Sequence, residues 1–525
     1  TIYVSTEQEF RDAVNDINNT GDNYILSLTN DIELNAPQSP QSRDTVHFKG
    51  CNVTILGNGH SITTGFKTAQ PINLTDDATL NLGSPDGEDK LTILGNDSTH
   101  WRELISITYG TVNMYDGVTL RDNIVVRPSS PRIVVGSAVS VATDGATFNM
   151  FGGEITNCSI SGSYGYAAGV AVWSGATFNM HGGRISDNKQ SKGNYGGAVT
   201  VSSSTFNMFG GEISGNSGTF GGGVYICATS VDIPSYFNMT GGKIYGNKAP
   251  YGGGVFVDSI GKFNMTGGEI YENTVDAAGG GVCINTWGEF SMTGGKIYKN
   301  EANEVGGGVY TNASEIDEDD GTKYPGGSLK MSGGAIYNNT AVIGGDDIAA
   351  ESSDELALDS VGEGLTLDST NQTITDWYYD GARFTGELDE DGNPIYDETR
   401  WAVIDEDGNL YLHTYEKPES DVTVYLKAAH CIHTFSELII DIKPTCTEEG
   451  SKSIHCKNCD AVKDREVIPA TGHTESDWIV DVEPGCTTEG SRHKKCEICG
   501  KLLKTEVIPA TGHHPSGVWE RDEIE

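Results

Sequence analysis

Between residues 145 and 345 apolar and polar positions alternate in short runs that glycine pairs interrupt. In Phe263-Asn-Met265 the Phe and Met share one face and Asn264 takes the other, which is the period of a strand. The phrase opens at Phe148, Phe178, Phe206, Phe237, Phe263 and Phe290 and, as a weaker copy, at Leu329, in steps of 30, 28, 31, 26, 27 and 39 residues. A second phrase lies between the copies: Gly-Gly-Ala-Val at 196, then Gly-Gly-Gly-Val at 221, 252, 279 and 306. A period of this size marks a stacked repeat. Helical repeats need stretches at 3.6 spacing with few glycines, and none is present. Each copy carries Phe-Asn-Met, Gly-Gly-x-Ile and Gly-Gly-Gly-Val pieces. They predict one coil of a parallel β-helix per copy, with three short strands per coil and Phe, Met, Ile and Val stacked inward.

Two more columns fit that prediction. Asn188, Asn216, Asn247, Asn273, Asn300 and Asn339 each follow a repeat Ile by three residues. Asn tolerates left-handed backbone and can hydrogen-bond to its own copy one coil away. Between Gly-Gly and Ile stand Glu154, Arg184, Glu212, Lys243, Glu269, Lys296 and Ala335, so the sign alternates over six coils. Strands lie about 4.8 Å apart in a sheet, where like charges would repel, so in-register stacking calls for this alternation.

These Gly-Gly-x-Ile-x-x-Asn and Gly-Gly-Gly-Val repeats resemble those of β-helical bacterial surface proteins, among them polymorphic outer-membrane proteins and large secreted proteins of Gram-positive gut bacteria. The likeness is clear over 145–350 and looser before it. It implies a secreted or cell-surface, adhesin-like binding protein that meets a host glycan, a mucin or a surface protein.

The flanks predict caps. Over residues 1–35, Thr6-Glu-Gln-Glu9 reads as a capping box, Phe10, Ala13, Val14 and Ile17 follow helical spacing, and Asn18-Asn-Thr-Gly21 ends the run. An amphipathic helix there would cover the bare end of the stack. This opening is similar to that of pectin-lyase-like β-helices. Strand pieces Val53-Thr-Ile-Leu, Leu80-Asn-Leu, Leu91-Thr-Ile-Leu and Val112-Asn-Met carry irregular coils up to 145, and Pro128-Ser-Ser-Pro131 reads as a loop insertion. Gly344-Gly-Asp-Asp-Ile348 reads as the last coil, so the helix spans 36–350. Over 351–428 the periodicity stops, and Asp-Gly turns at 389–393 and 405–409 predict hairpins of a β cap.

The chain has 34 Lys plus Arg against 74 Asp plus Glu, a net charge of −40. That excludes nucleic acid and anionic membrane as expected partners, since both need positive charge. No run of about 18 apolar residues would insert in a membrane, and no leader peptide opens the sequence, so a secreted form would be a trimmed one. The acid-rich Glu315–Lys323 insertion could hold calcium but reads first as a solvated loop, and the two Asp-x-Asp-Gly turns, which lack the spaced acids and distal Glu of an EF-hand, read first as hairpin turns.

The C-terminal residues hold different chemistry. Two modules, 429–473 and 474–525, repeat with a period of 40 residues: Cys446, Cys456-x-x-Cys459 and His473 return as Cys486, Cys496-x-x-Cys499 and His513. Three thiolates and an imidazole make a closed tetrahedral zinc site. One structural zinc per module is therefore expected, beside two other readings, disulfides and an unliganded repeat. Three cysteines per module leave one unpaired under the disulfide reading. His433 lies on the same period, and spacing does not decide whether a site takes the His before or after its cysteines; the later one is chosen here. These modules resemble the Cys-rich tandem repeats of large Gram-positive surface proteins. Cys51, Cys158, Cys227, Cys283 and Cys431 read as isolated thiols.

On the stack, Tyr245, Tyr271, Tyr298 and Tyr337 form an outward stripe, the candidate ligand-binding face. Tyr225, Phe256 and Tyr310 form a second one, interrupted by Cys283. Either could meet sugar rings or a protein, or serve only to join neighbouring coils. The alternative function is that of a β-helix polysaccharide lyase or glycoside hydrolase. It would need clustered carboxylates. None lies on successive regular repeats; Asp76-Asp77, Asp86–Asp89 and His100-Trp-Arg-Glu103 are the remaining places for one. No catalytic residue is assigned. The full expectation is an all-β protein: a right-handed parallel β-helix with an N-terminal helical cap, a C-terminal β cap and two small Cys-rich modules.

Overall fold

The computed structural model describes residues 1–513 apart from 36–44, 65–70, 96–101, 127–133, 162–164, 192–194, 317–322, several stretches between 363 and 434, and 457–461. The chain divides into two compact units, residues 1–366 with 373–430, and residues 367–372 with 431–525.

In the first unit the repeats wind as a parallel β-helix of about 10 turns. The Phe-Asn-Met and Gly-Gly-x-Ile pieces build one sheet of 21 strands, and the Gly-Gly-Gly-Val pieces build one of 13. Pairing is parallel and like meets like: Phe148, Phe178, Phe206, Phe237, Phe263, Phe290 and Leu329 follow one another in register. The six phenylalanines are buried, and their rings stack at 4.5 to 5.1 Å. Beyond the three expected strands the structure adds a short fourth ladder, Lys248–Tyr251, Thr274–Ala278, Glu301–Ala302 and Thr340–Ala341. Alternation resumes briefly after the Asn, and Val275, Ala302 and Ala341 turn inward to form a small core of their own.

The glycine pairs are a demand of stacking. A Cβ on Gly267 would lie 2.3 Å from the carbonyl oxygen of Thr240 in the preceding coil. Gly268 has φ +85°, and a Cβ there would lie 2.5 Å from the Met239 methyl. No other residue satisfies both positions.

The Asn column is buried and bonded along its length. The side-chain amides of Asn188, Asn216, Asn247, Asn273 and Asn300 each donate to the Oδ1 of the next Asn at 2.9 to 3.0 Å. Asn339 donates in turn to Oδ1 of Asp347 at 2.9 Å. A second, outward Asn ladder runs from Asn81 through Asn113, Asn149, Asn179, Asn207, Asn238 and Asn264 at 2.8 to 2.9 Å.

Both ends of the stack are covered. The helix spans Glu7–Thr20 with Phe10, Ala13, Val14 and Ile17 buried. Thr6 caps it by accepting the N–H of Glu9, the Glu9 carboxylate reaches back to accept the N–H and hydroxyl of Ser5, and Gly21 at φ 71° closes it. At the other end Ile348–Ala350 continues the 13-stranded sheet, and Leu356–Leu358 adds one more strand beneath Leu329–Met331. Val424–Ala429 then pairs antiparallel with Ile348–Ala350 and with Asp376–Tyr379, which ends the parallel stack. Antiparallel hairpins pair Phe384–Leu388 with Pro394–Tyr396 and Val403–Ile404 with Leu410–Tyr411. Their Asp-Gly turns lie outside the described residues, as does Pro128–Pro131. The Glu315 insertion starts and returns as an antiparallel pair, Glu315–Ile316 with Lys323–Tyr324.

The second unit holds two three-stranded antiparallel sheets with matching strands: Phe435–Ile442, Gly450–Cys456 and Val462–Ile468, then Ile479–Val482, Gly490–Lys495 and Leu502–Ile508. Their apolar residues are largely exposed: Ile440, Ile442, Val467, Val482 and Val507 all lie open to solvent. Among the described residues of 431–513 the buried side chains are Cys446, Ser453 and Cys496.

Candidate functional site

The outward face beside the glycine pairs carries the tyrosine stripe. Alternation from the buried repeat Ile sends the residue before it and the residue after it outward, so charge and tyrosine share one face. Glu154, Arg184, Glu212, Lys243, Glu269, Lys296 and Ala335 are in register. Arg184 and Glu212 pair at 2.8 Å. That contact holds the Glu212 carboxyl below its ordinary range. Tyr245, Tyr271, Tyr298 and Tyr337 are half-buried and stacked, with ring centroids 5.0, 5.2 and 5.5 Å apart and planes within 14°. The Tyr245 hydroxyl donates to Glu212 at 3.0 Å. Burial raises the Tyr271 hydroxyl above its ordinary value. At this spacing each ring covers its neighbour's face, so the inner rings present edges and hydroxyls rather than faces. An open groove of about 760 Å³ runs alongside, with Gly210, Gly242, Gly267 and Gly295 in its floor and Glu212, Lys243, Glu269 and Lys296 in its wall.

The second proposed stripe is not outward. Tyr225 and Phe256 are 4% exposed, Cys283 is buried in register between Phe256 and Tyr310, Tyr310 itself is half-buried, and Tyr195 and Phe220 pack against the group. These side chains do leave the central core, but the preceding loops fold back across them. A different aromatic column is open instead: Tyr115, Phe151, His181 and Phe209 stack at 5.3, 4.9 and 4.7 Å, with Phe151 and Phe209 exposed. Its signal was in the sequence, because each of the last three follows an inward Met by one position.

In the second unit the structure brings together Cys446, His473, Cys496 and Cys499, with all four ligand atoms within 4.8 Å of one another. The group draws two ligands from each module, a partition other than the expected sets, Cys446-Cys456-Cys459-His473 and Cys486-Cys496-Cys499-His513, and it is the one found among the described residues. A period of 40 residues leaves the partition within a module and the partition across modules identical in spacing. Of the remaining candidates, Cys486 and His513 are exposed, the side chain of Cys456 and all of Cys459 lie outside the described residues, and so does His433.

Turns place the four ligands. Thr445 accepts the N–H of Glu448 at 2.9 Å and so holds the bend at Cys446. Thr471 donates its N–H to the Thr445 carbonyl at 2.9 Å, which sets His473 beside Cys446. Gly500 donates to the Cys496 carbonyl at 2.9 Å and closes the Cys-x-x-Cys turn. The Cys446 and Cys496 sulfurs are 3.6 Å apart, and the Cys499 sulfur lies 3.4 Å from Nδ1 of His473. Zinc–sulfur bonds of about 2.3 Å at tetrahedral angles put two sulfurs about 3.8 Å apart, so the quartet fits a four-coordinate cation. The N–H groups of Cys499 and Ile498 draw the Cys496 thiol down to about 5, while desolvation and the adjacent sulfurs push Cys446 up to about 11. Crowded sulfur of this kind is what a divalent cation relieves.

The remaining cysteines of the first unit, Cys51, Cys158, Cys227 and Cys283, are buried free thiols. Cys283 stacks on Phe256 whereas Cys227 stacks on Ser202, so the two do not share a column. Of the carboxylates considered for catalysis, Glu103 is buried, and the others serve the backbone or sit in turns. Asp89 accepts the N–H groups of Gly57 and Asn58 at 2.8 Å each, Asp86 accepts from Glu88, and Asp76 and Asp77 occupy a left-handed turn. His100 and Trp101 lie outside the described residues, as do the calcium candidates at 317–322, 389–393 and 405–409. Among the described residues no helix is long and apolar enough to cross a membrane. No protein-family model matches the chain, and no curated protein matches it in sequence.

Proposed function

We propose that the chain is an extracellular binding protein of the bacterial cell surface, adhesin-like, whose β-helix offers a repeated polar and aromatic face to a host glycan, mucin or surface protein. The glycine-floored groove beside the charge column, with the tyrosine stripe on the far side of that column, carries the reading, since it repeats one set of groups over successive coils. An extended polymer lying along the stack would meet a carboxylate or ammonium, a tyrosine hydroxyl and a ring edge on each of three successive coils, those of Lys243 and Tyr245, Glu269 and Tyr271, and Lys296 and Tyr298. Recognition would be by hydrogen bonds to ligand hydroxyls and by contact with ring edges, not by face stacking. We also assign a structural zinc to Cys446, His473, Cys496 and Cys499, in a unit whose described residues bury too few apolar side chains to hold its shape by packing.

Arrays of acidic and neutral glycans and of mucins test the binding reading. Tyr271→Ala with Tyr298→Ala is expected to lower affinity at least tenfold with the fold kept; unchanged binding would remove the stripe as the site. Incubation with the same polysaccharides should release neither reducing ends nor unsaturated products. Release of either would favour the lyase or hydrolase reading.

A further inference from the structure

The metal-ligand quartet is assembled across the module boundary, which leaves part of the repeated pattern over. Cys486 and His513 occupy in the second module the positions of Cys446 and His473, 40 residues on, and both are exposed. The backbone contacts that bring the first pair together recur around the second. Thr511 donates its N–H and hydroxyl to the Gly485 carbonyl at 3.0 and 3.3 Å, as Thr471 does to the Thr445 carbonyl at 2.9 and 3.1 Å. The turns match as well: Gly485 donates to the Thr488 carbonyl as Thr445 does to that of Glu448, both at 2.9 Å.

We infer that Cys486 and His513 are a preformed half-site for a divalent cation of the zinc class, completed by the Cys-x-x-Cys turn of a further module of the same kind. The half-site supplies one sulfur and one imidazole nitrogen. The incoming turn supplies two sulfurs, and each ligating thiol gives up its proton to solvent. Within the chain this coupling already exists once, with Cys496 and Cys499 of the second module docked on Cys446 and His473 of the first. The repeat is thus a head-to-tail connector, a contact that does not close on itself. Its next partner is either a module that follows in a longer polypeptide or a second copy of this chain, which offers a Cys-x-x-Cys at 456 and 459. The inference rests on the metal reading of the Cys446 quartet.

Cobalt titration of the reduced full chain tests it, read by thiolate-to-cobalt absorption and light scattering, with and without a synthetic peptide of residues 490–508. One equivalent is expected to bind the chain as a monomer. A second is expected either with mass growth, when another copy supplies the turn, or with one peptide bound per chain, when a module in trans supplies it. Cys486→Ser and His513→Ala should lose the second equivalent and keep the first. Cys446→Ser should lose the first and keep the second. A single equivalent in both arms, or a second one that survives Cys486→Ser, overturns the half-site while leaving the built quartet intact. No cobalt uptake at all overturns the quartet and the half-site together.

Discussion

Asn273 donates its side-chain amide to Oδ1 of Asn300 at 2.9 Å and to the Ile244 carbonyl at 3.0 Å, and its own Oδ1 accepts the N–H and the amide of Asn247. It is fully buried. An orphaned buried donor costs about 1–3 kcal/mol, so Asn273→Ala is expected to destabilise the first unit by about 2–4 kcal/mol in denaturant titration. Asn264→Ala, in the outward ladder where water can replace the lost partner, should cost less than about 1 kcal/mol. Asp347 takes the place of a further Asn and only accepts. Burial pushes its carboxyl from 3.8 up to about 7, against the pull of Lys427. A carboxyl raised in the folded state favours folding below its unfolded pKa, and that contribution is lost as pH rises through the folded one. Exchange protection of 348–350 and 424–429, relative to the intrinsic rate at each pH, should therefore fall between about pH 4 and pH 7, and Asp347→Asn should flatten the dependence.

Among the repeated elements, the charge column sets a test of register. Lys243 faces Glu212 on one side and Glu269 on the other. Lys243→Glu would align three acids on successive coils, at a cost of about 1 kcal/mol at low salt. Most of that loss should return in concentrated salt, because the column is solvent-exposed. The coils were legible because every rung repeats one side chain, so Phe263, Met265, Ile270 and Asn273 report the same geometry as their copies. Elements that depend on a single contact were not. Tyr225 alternates outward like Tyr245, and only the fold-back of Tyr195 and Phe220 decides that it is covered. The metal quartet was legible in composition but not in partition, since Cys496 stands in the same phase to Cys446 as to Cys486. Asp347 lay in plain view in Gly-Gly-Asp-Asp, but its part as terminal acceptor follows from Asn339 reaching it.

For the molecule as a whole, the two units draw on different sources of stability. Residues 145–345 bury columns of Phe, Met, Ile and Val, whereas 431–513 bury little beyond ligand sulfurs and a serine among the described residues. A strong chelator is therefore expected to collapse exchange protection across 431–513 while leaving that of 145–345 unchanged. Mass-resolved hydrogen exchange separates the two, and equal loss in both would contradict the zinc assignment.

Each amide in the buried Asn ladder points toward the C-terminus, from Asn188 to Asn339, and the series stops on a group with nothing to pass on. A winding can therefore be spliced in or cut out anywhere inside the series without disturbing either terminus, since its rung finds an acceptor ahead and a donor behind. Excising residues 248–273 would bring Thr274 to the place of Lys248, its registered partner, and leave a shorter molecule with the same two lids. Length is the quantity that gene duplication or deletion can adjust here at small cost, and reach is what such adjustment would change.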